Sequence, residues 1–362
     1  MERNLDTFKD TFDPETIIKR LKDELQAAQR ESIDAAKIKD AIGGINKQLS
    51  VLSLPKWVVQ EPKKRKSPGV PTLFLSDLHW GEIVHPTQIN NVNSYNLNVA
   101  RQRLQNCILT AINLLRILDN DLNYPGIVVP LGGDCISGNL HEELTASNEI
   151  NSMPSVLDLF SHLAAAILLL ADTFGAVFLP CVTGNHGRDT KKTWAKDRHH
   201  TSFDWLLYRF LAKHFELDKR ITFFIPDGSD ALFSIFGTRF NLTHGDQFKS
   251  SDSIIGPIDP IFRGDQKKRS RNAQVDLAYD LLILGHWHTY IHTSRVIVNG
   301  SIKGMDEYAF QGNFGFEPPQ QALWITHPQH GITFRMPVYC DPTSKPEKTQ
   351  WVSHIAGATK SL

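Results

Sequence analysis

From Thr72 onward, short apolar runs alternate with longer stretches of helical periodicity, and this alternation constrains the fold more than any other feature of the chain. Strand-length runs separated by helical patterns point to βαβ units around a parallel sheet. The runs at 72–76, 126–132 and 176–184 are predicted strands, with an amphipathic helix over 97–119 and an apolar one over 153–173. A third helix is predicted over 203–215. Strands then dominate, at 221–225, 231–236, 238–245, 281–286, 294–301 and 321–327. There is no internal repeat and no low-complexity segment.

The chemistry lies where polar residues stop these strands. The first ends in Asp77-Leu78-His79, the second in Asp134, the third in Asn185-His186. Two later strands end in His244 and in His286-Trp287-His288. A lone Asp or His after a strand is usually a turn residue or a helix cap. Five such endings, each flanked by Gly or Ser, exceed what turn chemistry needs. In open α/β sheets, ligands bind beyond the carboxyl ends of the strands. Asp, Asn and His together suit Mn, Fe or Zn rather than thiolate-seeking metals. Asp77, His79, Asp134, Asn185, His244, His286 and His288 make seven candidate ligands, enough for two ions that share one carboxylate.

Composition narrows the setting. The formal net charge is zero, so bulk charge favours neither nucleic acid nor membrane, and any basic surface is local. No apolar run is expected to cross a bilayer, and the basic start and apolar core of a secretory signal are missing from the N-terminal residues. Cys107, Cys135, Cys181 and Cys340 form no CxxC pair. They read as free thiols in a reducing compartment, the cytoplasm. Ahead of the first strand, residues 1–54 read as an N-terminal helical segment, with the helix expected from about Pro14 to Ile42. Asp13 and Pro14 suit a helix start, Ile18, Leu21, Leu25 and Ala28 share a face, and Gly43-Gly44 end it. That stripe needs a partner, either the main domain or a second copy of the chain in a homo-oligomer. Residues 55–71 read as a linker carrying Lys63, Lys64, Arg65 and Lys66. The main domain is placed at 72–340, followed by a tail, 341–362.

The five endings, DLH (77–79), GGD (132–134), GNH (184–186), THG (243–245) and GHWH (285–288), resemble in order the motifs of calcineurin-like metallophosphoesterases, and more loosely the nuclease-like, often phage-encoded members. The resemblance implies an α/β fold of two β-sheets packed face to face and flanked by helices. It implies two divalent ions, foremost Mn, with Mg, Fe or Zn as alternatives. Asp77, His79 and His288 would hold one ion, Asn185, His244 and His286 the other, and Asp134 would bridge them. A hydroxide shared by the ions would attack phosphorus. His186 would stay outside the metal shell and protonate the leaving oxygen. Adjacent residues at a strand end point different ways, so if Asn185 faces the metals, His186 does not easily share their coordination sphere. The third motif departs from the commonest pattern, since GNHGRD has Gly187 and Arg188 where an acidic residue often follows. Arg188 can fork onto a phosphate. His141 and Glu142 are candidates for lining the pocket or orienting ligands, and Asp246 for orienting them from behind.

Nucleic acid, foremost single-stranded or frayed DNA, is the substrate suggested by local charge. Lys267, Lys268, Arg269 and Arg271 read as a basic loop between two metal motifs, and Lys191, Lys192, Arg198, His199 and His200 follow the third. Trp80, Trp194 and Trp287 lie beside these segments, where aromatic rings can stack on bases. Two alternatives are a phosphatase of small phosphomonoesters or phosphoproteins, and a binding subunit that keeps the fold without catalysis.

Overall fold

The structure, a computed structural model, describes residues 69–139, 145, 147–249 and 256–342. The expected N-terminal helix, the Lys63–Lys66 run, His141, Glu142 and the tail beyond Pro342 lie outside the described residues.

Strand β1 is Val70–Leu73, and helix α1, Leu97–Leu118, follows it. Strand β2 is Ile127–Val128, helix α2 is Ser152–Phe174 and strand β3 is Val177–Pro180. Helix α3, Phe203–His214, leads to β4, Ile221–Phe224. These four strands run parallel, as alternating βα connections require. Strand β10, Gln320–His327, returns antiparallel to β1 and pairs with β11, Gly331–Tyr339. The first sheet therefore has the order β11-β10-β1-β2-β3-β4. A second sheet, β5-β6-β7-β9-β8, comprises β5 (Asp230–Ile235), β6 (Thr238–Thr243), β7 (Leu281–Leu284), β8 (Ile291–His292) and β9 (Val296–Val298).

Strands buried on both faces read as continuous apolar runs, and the period of two sorts them into layers. In β3, Phe178 faces the second sheet while Val177 and Leu179 face the helices. In β7, Leu281 and Ile283 face the first sheet while Leu282 and Leu284 point away from it. Phe178, Phe233, Phe240 and Trp324 fill the space between the sheets, Phe233 and Phe240 stacked at 5.3 Å. Helices α1, α2 and α3 cover the outer face of the first sheet. Helix α4, Ile258–Ala273, covers that of the second through Ile261.

Four expectations need correction. Lys267, Lys268, Arg269 and Arg271 sit in α4, not in a loop. The linker stops short of residue 71, because Val70 and Pro71 already pair with Thr326 and Ile325 of β10. Helix α2 is long and apolar enough to cross a membrane by length and composition, with a mean hydropathy of 1.8, contrary to the reading that no run reaches that measure. Its stripe Val156, Leu159, Leu163, Ile167 and Leu170 packs into the core. Trp80 is fully buried, its indole N–H donating to Asp158 at 2.7 Å, and so is no stacking platform.

Candidate dinuclear metal centre

The parallel strands of both sheets end at one edge, and the turns beyond that edge carry the motif residues. Asp77, His79, Asp134, Asn185 and His186 follow β1, β2 and β3 of the first sheet. His244, His286 and His288 follow β6 and β7 of the second. Five of these residues sit in the left-handed backbone region: Asp77 at φ 55°, His79 at 47°, Asp134 at 49°, His286 at 68° and His288 at 51°. Such positions cost about 1–3 kcal/mol each and persist only where surrounding contacts enforce them.

The enforcing contacts can be named. Asp77 N–H donates to Gly133 O at 3.0 Å and His79 N–H to Asp134 O at 3.0 Å, so the first two turns lock together. The carboxylate of Asp77 accepts from Ser76 Oγ at 2.5 Å and from His286 N–H at 2.9 Å, and that of Asp134 accepts from His186 N–H at 2.7 Å. A Cβ at Gly285 would collide with the Asp77 carboxylate, and one at Gly184 with that of Asp134. The glycines of two motifs are thus required by close approach.

Two groups of ligand atoms result. Asp77, His79 and His288 form one, and Asp134, His244 and His286 the other, each within 4.8 Å. His79 Nε2 faces His288 Nε2 at 3.0 Å, while His244 Nε2 lies 3.0 Å from Asp134 Oδ2 and 3.1 Å from Asn185 Oδ1. Because His244 Nδ1–H donates to Gly132 O at 2.8 Å, its Nε2 lone pair points at those oxygens. Lone pairs converging at such distances need a proton or a cation between them, so the residues fit a pair of divalent ions. Electrostatics agree. Burial disfavours charge on His244, but Asp134 beside it outweighs that and raises its pKa to about 10. Burial opposes ionisation of Asp134, yet His244 and His186 hold it well below the carboxylate range. Burial, followed by Lys303, His186 and His288, keeps His79 neutral far below the usual imidazole range.

His186 stands at the rim of this centre. Its Nδ1–H donates to Ser137 O at 3.2 Å, and its ring meets that of His79 edge-on at 4.6 Å. Burial lowers its pKa, partly countered by Asp134.

Some supporting residues carry no sequence signal. Asp204, near the start of α3, accepts the N–H groups of Asp134 (3.0 Å), Cys135 (3.1 Å) and Gly184 (2.8 Å), joining two motifs through one carboxylate. Burial and the nearby Asp134 raise its pKa to about 6. Beneath His79, Glu82 Oε2 lies 3.5 Å from Nδ1 and accepts from Ser137 Oγ, while Glu82 Oε1 accepts from Lys303. Lys303 is fully enclosed between Glu82 (2.9 Å) and Asp306 (2.5 Å). Neither Asp204 nor Lys303 shows a motif, because each acts through the folded neighbourhood alone.

The remaining candidates divide. Asp246 takes both amino groups of Arg198, at 2.9 and 3.0 Å, and Arg198 also donates to Gly184 O at 2.9 Å. Arg188 cross-links its own turn, donating to Asn185 O, to Thr190 O at 2.9 Å and to Lys191 O at 3.2 Å. Three of the four candidate cations in α4 are engaged within the fold. Lys268 is buried against Asp230 at 2.6 Å, Arg271 reaches the same carboxylate at 2.8 Å, and Arg269 bonds Asp265, Tyr279 O and Asp280 O. Lys267 is exposed.

Two face-to-face sheets under flanking helices, with Asp, Asn and His delivered in motif order to one edge, are what the resemblance implies. The described residues thus have the two-sheet α/β architecture that the resemblance implies. No family model matches the chain, and no curated protein does. Among solved structures it is similar to zinc-complexed Vps29 from Entamoeba histolytica, at 11% identity and TM-score 0.29 over 74% of this chain and 99% of that one. A predicted phosphoesterase from Streptococcus pneumoniae is similar at 10% identity and TM-score 0.27, covering 74% and 97%. A dimetal phosphatase from Danio rerio is similar at 10% identity and TM-score 0.35, covering 76% and 100%.

Proposed function

We propose that the chain is a divalent-metal-dependent phosphodiesterase that cleaves nucleic acid, single-stranded DNA foremost. The observation that carries the hydrolase reading is the pair of ligand groups meeting at one sheet edge beside His186. Two divalent ions held there would supply Lewis acidity and an activated water. The protein's own part is to hold the ligands rigid and to manage a proton. With Nδ1–H engaged by Ser137 O, Nε2 of His186 is the nitrogen free to pass a proton to a departing oxygen. Its lowered pKa makes the protonated ring a stronger acid but a scarcer one as pH rises.

A polymer is favoured by what lies beyond His186. A cavity of about 660 Å³ is lined by Ser152 at the start of α2, by Lys191, Asp189 and Phe203, and by Arg188, whose guanidinium also holds its own turn. A helix start and Lys191, set against the single carboxylate of Asp189, suit a second phosphate beyond the scissile one. The adjoining segment exposes Lys191, Lys192 and Lys196 around Trp194, itself 54% exposed. Lys268, Arg269 and Arg271 drop out of this footprint because they serve the fold, which leaves Lys267 as the exposed member of that run.

Salt dependence tests the reading. Each single-strand phosphate contact adds roughly 0.7 to the slope of log affinity against log salt. Replacing Lys191, Lys192 and Lys196 with Ser should flatten that slope by up to about 2. Hydrolysis of a small chromogenic diester should stay unchanged. His186→Ala should slow both substrates by about 10²–10⁴-fold with metal content retained. Efficient hydrolysis of phosphomonoesters with no cleavage of DNA or RNA in Mn, Mg or Zn would replace this reading with the phosphatase one.

A further inference from the structure

A second group of metal-seeking side chains lies away from the dinuclear centre. His199 and His200 occupy a short 3-10 turn, Arg198–Thr201, just ahead of α3. Asp227 lies in the turn between β4 and β5. Donor atoms from the three residues lie within 4.8 Å of one another. His199 is 6% exposed, and its Nε2 is buried without a hydrogen-bond partner. The nearest acidic oxygen, Asp227 Oδ1, is 3.7 Å away, too far for a hydrogen bond. The His200 ring lies 3.9 Å from the His199 ring, centroid to centroid. A buried imidazole nitrogen with no partner normally costs free energy, and its persistence asks for a ligand.

We propose that His199, His200 and Asp227 form a third divalent-cation site, distinct from the dinuclear centre, that takes zinc. Two imidazole nitrogens and one carboxylate oxygen match zinc's preference, with water completing a tetrahedron. Magnesium and calcium favour all-oxygen shells and are excluded by the same donor set. Tetrahedral zinc with bonds of about 2.0–2.1 Å spaces its donors about 3.4 Å apart, so donors at the 4.8 Å limit of the group must close by about 1.4 Å. The freedom to do so exists, since the side chains of His200 and Asp227 are 53% and 59% exposed while His199 stays anchored. Burial and the neighbouring His200 hold His199 below the usual imidazole range, which leaves it neutral as a ligand must be. Arg209 is the competitor. Its guanidinium lies 3.8 Å from Asp227 Oδ1 and rests over the Trp205 ring, so the ion must share that carboxylate with it.

The location gives the ion a role. His199 follows Arg198, which holds Asp246 and Gly184 O beside the dinuclear ligands. Zinc on the turn would fix the stem from which Arg198 reaches.

Metal counting on the full chain decides the matter. After zinc loading and desalting, elemental analysis should find one more ion per chain in the unaltered protein than in His200→Ala or Asp227→Ala. Both positions are exposed, so these variants should fold. Asp134→Ala, which disrupts the dinuclear centre, should still hold the extra ion, and magnesium loading should never add it. Cobalt substitution offers a second readout, since the Asp134→Ala protein should show visible absorption that His200→Ala removes when combined with it. Equal zinc content in the unaltered, His200→Ala and Asp227→Ala proteins would overturn the proposal whatever the dinuclear centre does.

Discussion

Lys303 shows how one enclosed residue can organise a site it does not enter. Its ammonium bridges Glu82 and Asp306, and Glu82 in turn backs the Nδ1 side of His79. Burial works against the charge on Asp306, but Lys303 and the Ala309 N–H outweigh it and lower its pKa to about 2. A carboxylate depressed in the folded state stabilises the fold above its unfolded pKa of about 3.9, and that contribution is lost as pH falls through the folded value. The shift corresponds to about 2–3 kcal/mol at neutral pH. Asp306→Asn should therefore destabilise the protein by at least about that much in urea at pH 7, with the gap to the unaltered protein narrowing between about pH 4 and pH 2. A gap independent of pH would assign the loss to packing instead. The stretch NGSIKGMDEYAF (299–310) resembles a loop at the site mouth of nuclease-like members, but nothing in it announces this role for Lys303. Asp77 and Asp134 were legible because strand ends and glycines frame them, whereas the partners of Lys303 lie far apart in sequence. The left-handed backbone of five ligands was equally hidden, since Asp and His carry no mark of it.

At the scale of elements, strands with both faces buried were the easiest to read, because continuous apolar runs of strand length have few alternatives. The sequence of α4 has the look of a loop for a physical reason. It touches the core mainly through Ile261, carries Pro260 in its first turn, and has Gly264 at its centre. That glycine is needed because a Cβ there would strike the Phe248 ring. A helix held by one apolar residue and a close approach shows no stripe. Strand β8 has only two residues, and β11 has a largely exposed outer half, so neither produced a run. The charges of α4 yield a prediction at this scale. Lys268→Met leaves Asp230 buried with Arg271 as its remaining cation, and should cost about 1–3 kcal/mol in thermal or urea unfolding. DNA cleavage per folded molecule should stay at the level of the unaltered chain. A selective loss on DNA, with stability intact, would return α4 to the substrate footprint.

Across the whole molecule, the ordered set of strand endings carried both fold and centre, because a parallel sheet brings its carboxyl ends to one edge whatever the loops between them do. Substrate is less legible, since a neutral chain distributes its cations by folding, and only the structure separates those that serve it from those at the rim. Metal binding should register globally. An ion present at 100 times its dissociation constant stabilises the folded state by about 2.7 kcal/mol. For a domain of this size that amounts to a rise of about 5–11 °C in melting temperature. Mn should produce such a rise in the unaltered protein and little or none in Asp134→Ala, as read by calorimetry. An equal rise in both would move the stabilising ion away from Asp134.

Each ligand group draws on both sheets. Asp77 and His79 come from the first and His288 from the second, while Asp134 comes from the first and His244 and His286 from the second. Mechanically, the two layers are the jaws of a caliper whose opening is set by the aromatic packing between them. A change of one layer's position by a fraction of an ångström alters every cross-layer donor distance at once, while leaving the spacing within each layer untouched. Phe178, Phe233, Phe240 and Trp324, none of which touches a ligand atom's chemistry, therefore set the gauge of the centre. Ions seated between the jaws would act as rivets, resisting the sliding that heat or pressure would otherwise allow.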